Sequence, residues 1–150
     1  MNDSGWKKLL IMAIASFVAM YILMYSMVDV FDNVYTNLNQ LYMVLLMTSA
    51  MLLIEIAVMW SMYNIKIKII TIILCVIIFI LSLIFIREQK TISDTEFLRS
   101  MIPHHSSALL MCNNTNITDI EIKELCSEIN SGQQSQIDWM KNKLKLIENN

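Results

Sequence analysis

Three long apolar runs, nearly free of charge, constrain this chain more than any other feature. Between Leu9 and Ile86 the only formally charged residues are Asp29, Asp32, Glu55, Lys66 and Lys68. Leu9–Val28 has no charge and Leu41–Tyr63 has Glu55 alone. The run over about 67–86 is, beyond Lys68, nearly all Ile, Leu, Val and Phe. At about 1.5 Å per residue each run reaches across a hydrocarbon core of about 30 Å. In that solvent every backbone amide must pair within its own segment, so each run is predicted to be a transmembrane helix. Lys7 and Lys8 ahead of the first run resemble the start of a signal peptide. Its length and the lack of a small-x-small cleavage site favour a retained helix.

The rest of the composition narrows the class. Hydrophobic residues are 56% and charged ones 16%, against about 25% charge in soluble domains. Two glycines and one proline exclude a collagenous or low-complexity chain. A net charge of −2 without a basic cluster argues against nucleic acid as a partner. Three cysteines with no Cys-x-x-Cys spacing exclude a disulfide scaffold and a zinc ribbon.

Most remaining charges lie beyond Arg87. The chain is therefore divided into a transmembrane domain, 1–88, and a water-solvated domain, 89–150. Lys7 and Lys8 precede the first span, and Lys66 and Lys68 lie in the second connection. The first connection, about Asp29–Gln40, has no Lys or Arg. Basic residues mark cytoplasmic loops, so the expected topology has the N-terminus cytoplasmic and the C-terminal domain extracytoplasmic.

In the C-terminal domain Ser93-Asp-Thr-Glu96 and Thr118-Asp-Ile-Glu121 read as capping boxes that open two helices. Phe97, Met101, His104, His105, Ala108, Met111 and Cys112 recur at spacings of three and four on the first. Pro103 is expected to kink it beside the histidines. Ile122, Cys126, Ile129, Gln133, Gln136/Ile137, Met140, Leu144 and Ile147 form a heptad-like inward stripe on the second. The fold class is all-α: three transmembrane helices followed by an extracytoplasmic antiparallel hairpin. Each helix keeps apolar surface that its neighbour cannot cover, so a second subunit is expected to complete a four-helix bundle as a homo-oligomer.

Met101, His104, His105, Met111 and Cys112 fall within one helix, with Gln133 and Met140 facing them in an in-register hairpin. Thioether, imidazole and thiolate are ligands of soft metals, Cu(I) above all, with Zn(II) or another transition metal as alternatives. The same residue types also fill helical cores and hydrogen-bond structurally. No nucleophile–base–acid set, phosphate loop or carboxylate cluster supports an enzyme. Glu128 and Asp138 lie off the inward stripe.

Met101-Ile-Pro-His104-His105-x-x-Ala108-x-x-Met111, followed by Gln133-x-x-Gln136-Ile137-x-x-Met140, resembles the DUF 305 family over about residues 93–144. That resemblance implies a ferritin-like helical half-bundle, copper association, and Met101, His104, His105, Met111, Gln133 and Met140 as metal-site positions. Gln136 stands where the family usually has glutamate, and Ser106 where glutamine is common. Loss of that carboxylate removes a hard oxygen ligand and disfavours di-iron chemistry, while a soft site is unaffected.

Within the spans, Met43, Met47, Met51, Glu55, Met59 and Met62 recur at helical spacing. They read either as a thioether ladder for Cu(I) with Glu55 at mid-membrane, or as packing methionines with a neutral, hydrogen-bonded acid. Cys112 and Cys126 form a disulfide, or serve with Gln136 as additional metal-site groups. Asn113-Asn-Thr and Asn116-Ile-Thr match the N-glycosylation pattern, which has meaning only in a eukaryotic host. The sequence thus reads as a membrane-anchored copper-binding protein, with a non-metal oligomeric scaffold as the alternative.

Overall fold

The computed structural model describes residues 3–149, and every regular element among them is helical. They are α1 (Asp3–Leu23), α2 (Leu38–Val58), α3 (Ile65–Glu88), α4 (Asp94–Asn114) and α5 (Ile120–Glu148). Short 3₁₀ turns at Met24–Met27 and Phe31–Asn33 lie between α1 and α2. By length and composition Gly5–Met27, Leu38–Val58 and Ile65–Glu88 are able to cross a membrane. The chain forms two compact units. One contains the residues through Leu23 together with Asn39–Thr91, and the other contains Met24–Leu38 with the segment from Ile92 onward. The division differs from a cut at residue 88, because the first connection packs with the C-terminal helices.

In the first unit the buried row of α2 is Gln40, Val44, Thr48, Ser49 and Ile56, and that of α3 is Lys68, Cys75 and Ser82. Small or polar residues make up most of these rows, with Val44 and Ile56 among them, while many Ile, Leu and Val residues of α3 face outward. This is the pattern of helices that pack through small residues in an apolar solvent. Met43 and Met47 lie on the outward face, and Met51 is half-buried.

The second span also ends earlier than expected. α2 stops at Val58, and the chain reverses through residues 59–64, where the Asn64 side chain accepts from the Ile67 amide at 2.9 Å to cap α3. Glu55 consequently lies in the last turn of α2 rather than at mid-span. Its Oε1 accepts from the Tyr63 hydroxyl at 2.6 Å. Lys68 donates to the Trp60 carbonyl at 2.9 Å and sits 4.2 Å from the Trp60 ring centroid. At the other end of α3, Gln89 takes a left-handed φ of 53°. Its amide exchanges two hydrogen bonds with Asn39 at 2.7 and 3.1 Å, which holds this costly conformation in place.

In the second unit Ser93 caps α4 by accepting from the Glu96 amide. The cap of α5 is Asp119, which accepts from the Ile122 amide at 3.1 Å, one residue later than the expected Thr118. A carboxylate stabilises a helix N-terminus better than a hydroxyl does, through its charge. α4 runs unbroken through Pro103. The two helices are antiparallel: Arg99 meets Glu148, His105 meets Gln136, and Asn113 meets Asn130. Their core is Leu98, Ile102, Leu109, Ile137, Met140 and Leu144, with Tyr35, Met101 and Ile147 packed against it.

The inward row of α4 is rotated from the expected one. Leu98, Ile102, Ser106 and Leu109 point inward, while Phe97, His104 and Met111 are exposed. The first connection accounts for the shift, because it packs on this face of α4. Ser106, fully buried, accepts from the Asp29 amide at 2.9 Å and donates to the Asp29 carboxylate. Asn33 donates to the same carboxylate at 2.8 Å. Asp32 pairs with Lys141 on α5, and the Leu38 amide donates to Glu96 at 2.8 Å.

Candidate functional site

An open groove of about 430 Å³ runs between α4 and α5, lined by Phe97, Leu98, Met101, His105, Ser135, Gln136, Trp139 and Met140. The antiparallel register brings these residues together. Met101 and His105 are one turn apart on α4, and Gln136 and Met140 are one turn apart on α5. His105 is the polar centre of the groove. Its Nδ1 lies 2.9 Å from the Met101 carbonyl oxygen, and its Nε2 lies 2.8 Å from the Gln136 side-chain oxygen.

The Met101 carbonyl only accepts, so Nδ1 carries a proton. Nε2 faces the Gln136 side-chain oxygen, so a ligand at Nε2 requires the Gln136 amide to move aside. Fixing Nδ1–H on a backbone carbonyl while Nε2 remains a ligand is the usual arrangement of a metal-binding histidine. Among the described residues no three His, Cys, Asp or Glu side chains converge to hold a metal ion. Any ion in this groove must therefore take thioether or amide ligands beside the single imidazole.

The groove unites only part of the expected site. Met101, His105, Gln136 and Met140 line it, whereas His104, Met111 and Gln133 do not. The rings of His104 and His105 are 6.0 Å apart and inclined at 63°, so the adjacent histidines diverge around the helix. Met111 is half-exposed two turns away. The Gln133 side-chain oxygen is buried and meets no donor among the described residues. Cys112 and Cys126 are joined by a disulfide with their Cα atoms 5.3 Å apart, so in this form neither offers a thiolate. Trp139 and Ser135 were missed. Trp139 lies three residues beyond Gln136 and Phe97 four before Met101, and that spacing was the available signal.

Asp29 and Asp32 flank the groove's supports. Burial opposes the charge of Asp29, but hydrogen bonds from Ser106, Asn33 and nearby backbone amides outweigh it and hold the carboxyl below its ordinary value. The hydrogen bond from Lys141 and its charge do the same for Asp32. These contacts lie on Ser106 and Lys141, the residues following His105 and Met140.

Residues 92–150 match the family model of the domain of unknown function DUF305. The chain is also 37% identical over 146 residues to an uncharacterized protein of Acanthamoeba polyphaga mimivirus. That match covers 93% of this chain and 91% of the relative, and so extends through the apolar helices as well. The chain belongs to the DUF305 family. No solved structure matches it.

Proposed function

We propose that this chain is a membrane-anchored binder of a soft transition-metal ion, Cu(I) in the first place, in copper homeostasis or tolerance. The ion is held by His105 Nε2 and the thioethers of Met101 and Met140, with the Gln136 amide beside them. The observation that carries the reading is His105: its Nδ1–H is fixed on the Met101 carbonyl in a groove lined by two methionines. Soft sulfur and imidazole without a carboxylate favour Cu(I) over harder ions. The three apolar helices supply the anchor. The lysine distribution and the Cys112–Cys126 disulfide support an extracytoplasmic, oxidising side for the C-terminal unit.

Competition with a chromogenic Cu(I) chelator tests the reading on the full chain in detergent. His105→Ala and the Met101→Leu/Met140→Leu pair are expected to weaken binding by more than about tenfold. His104→Ala is expected to leave it unchanged. Binding that survives His105→Ala, or no competition by the wild type, refutes the proposal.

A second reading rests on a different observation. Phe97 and Trp139 are 51% and 62% exposed, and Ile122, Leu125 and Leu146 are exposed along α5. Such a surface serves self-association or a protein partner in a non-metal scaffold. Mass measured by sedimentation for wild type and Trp139→Ser separates the readings: a smaller assembly in the variant favours the scaffold.

A further inference from the structure

Two N-glycosylation patterns overlap the connection between α4 and α5, and the structure treats them differently. Asn113 belongs to the last turn of α4, and its side-chain oxygen accepts from Asn130 at 2.8 Å. The Thr115 hydroxyl of that same pattern donates to the Met111 carbonyl at 2.6 Å. Both groups that the modification reads are therefore engaged, one of them inside a helix. Asn116 and Thr118 lie beyond the end of α4, in the non-helical connection before α5. Both are exposed, and neither side chain makes a hydrogen bond among the described residues.

We propose that Asn116 is an N-glycosylation acceptor, read through Asn116-Ile117-Thr118, and that Asn113 is not. Two further observations point the same way. The Cys112–Cys126 disulfide closes the same end of the hairpin and requires an oxidising compartment, as does the lumenal face where this modification occurs. The relative matching nearly the whole chain comes from a virus of Acanthamoeba, a eukaryotic host.

In the reaction the Asn116 Nδ2 attacks the anomeric carbon of an oligosaccharide carried on a polyisoprenyl pyrophosphate. The N-glycosidic bond forms, the sugar–phosphate C–O bond breaks, the lipid pyrophosphate leaves, and one amide proton passes to a base of the host transferase. His105 lies nine residues before the end of α4 at Asn114, about 14 Å along the helix axis, so Asn116 is well separated from the groove. The proposal does not depend on metal binding.

The test is cell-free synthesis of the full chain with endoplasmic-reticulum microsomes. Wild type is expected to show one upward gel shift, removed by an endoglycosidase. Asn113→Gln and Thr118→Ser are expected to retain the shift, and Asn116→Gln and Thr118→Ala to lose it. A shift that persists in Asn116→Gln, or no endoglycosidase-sensitive shift in the wild type, overturns the proposal.

Discussion

Removing the disulfide with Cys112→Ser/Cys126→Ser is expected to loosen one end of the hairpin and leave the other intact. The bond joins residues 14 apart. A closed loop of that size removes roughly 10 cal/mol/K from the detached state, about 3 kcal/mol at 25 °C. At about 1.4 kcal/mol per factor of ten, local opening then rises by roughly a hundredfold. Little else holds this end. Leu109 is its one buried core residue, the Asn113–Asn130 bond is exposed, and Ile120, Ile122 and Leu125 are exposed. Most of the core lies toward the other end, in Leu98, Ile102, Ile137, Met140 and Leu144. Hydrogen exchange read by mass spectrometry on the full chain in nanodiscs measures the difference. Amides over 109–114 and 120–130 are expected to exchange roughly a hundredfold faster in the variant, with little change over 98–102 and 137–144. A change of less than about threefold at the disulfide end refutes the loop-closure reasoning and shows that packing holds both ends.

Three further outcomes follow from the same contacts. Ile102→Ala empties a fully buried position against the α5 core and is expected to cost about 2–5 kcal/mol in thermal or denaturant unfolding of the C-terminal unit. Asp29, held below its ordinary value of 3.8, contributes stability that is complete above that pH and lost as pH falls through its lower folded value. Asp29→Asn should flatten that acid limb when unfolding is followed by circular dichroism against pH. Gln136→Glu places a carboxylate beside His105 Nε2, so metal competition should show Zn(II) and Cu(II) gaining on Cu(I).

Much of the architecture was legible because it depends on one-dimensional signals. Apolar length marks α1, α2 and α3, and Ser93 with Glu96 marks the start of α4. Heptad-like spacing marks Ile137, Met140 and Leu144 as the buried part of α5. Met101, His105, Gln136 and Met140 were legible as candidates because an antiparallel hairpin pairs residues whose positions sum to a nearly constant value. His104 was not separable from His105 in this way. Neighbouring helical residues differ by about 100°, and only the packing of α4 decides which of them faces α5.

Hydrophobic length, helix caps and residue chemistry act within a few turns of chain, so the sequence by itself determined three helices able to span a membrane, two further helices and a soft-ligand composition. The rest depends on contacts between residues far apart in the chain. The Asp29 amide reaches Ser106 across 77 positions, and Lys141 reaches Asp32 across 109. No periodicity records such pairs, yet they turn Leu98, Ile102 and Ser106 inward and leave Phe97 and His104 outward. Burial of a complementary surface, rather than local propensity, selects the rotation of a helix about its own axis. That rotation made His105 the histidine of the groove.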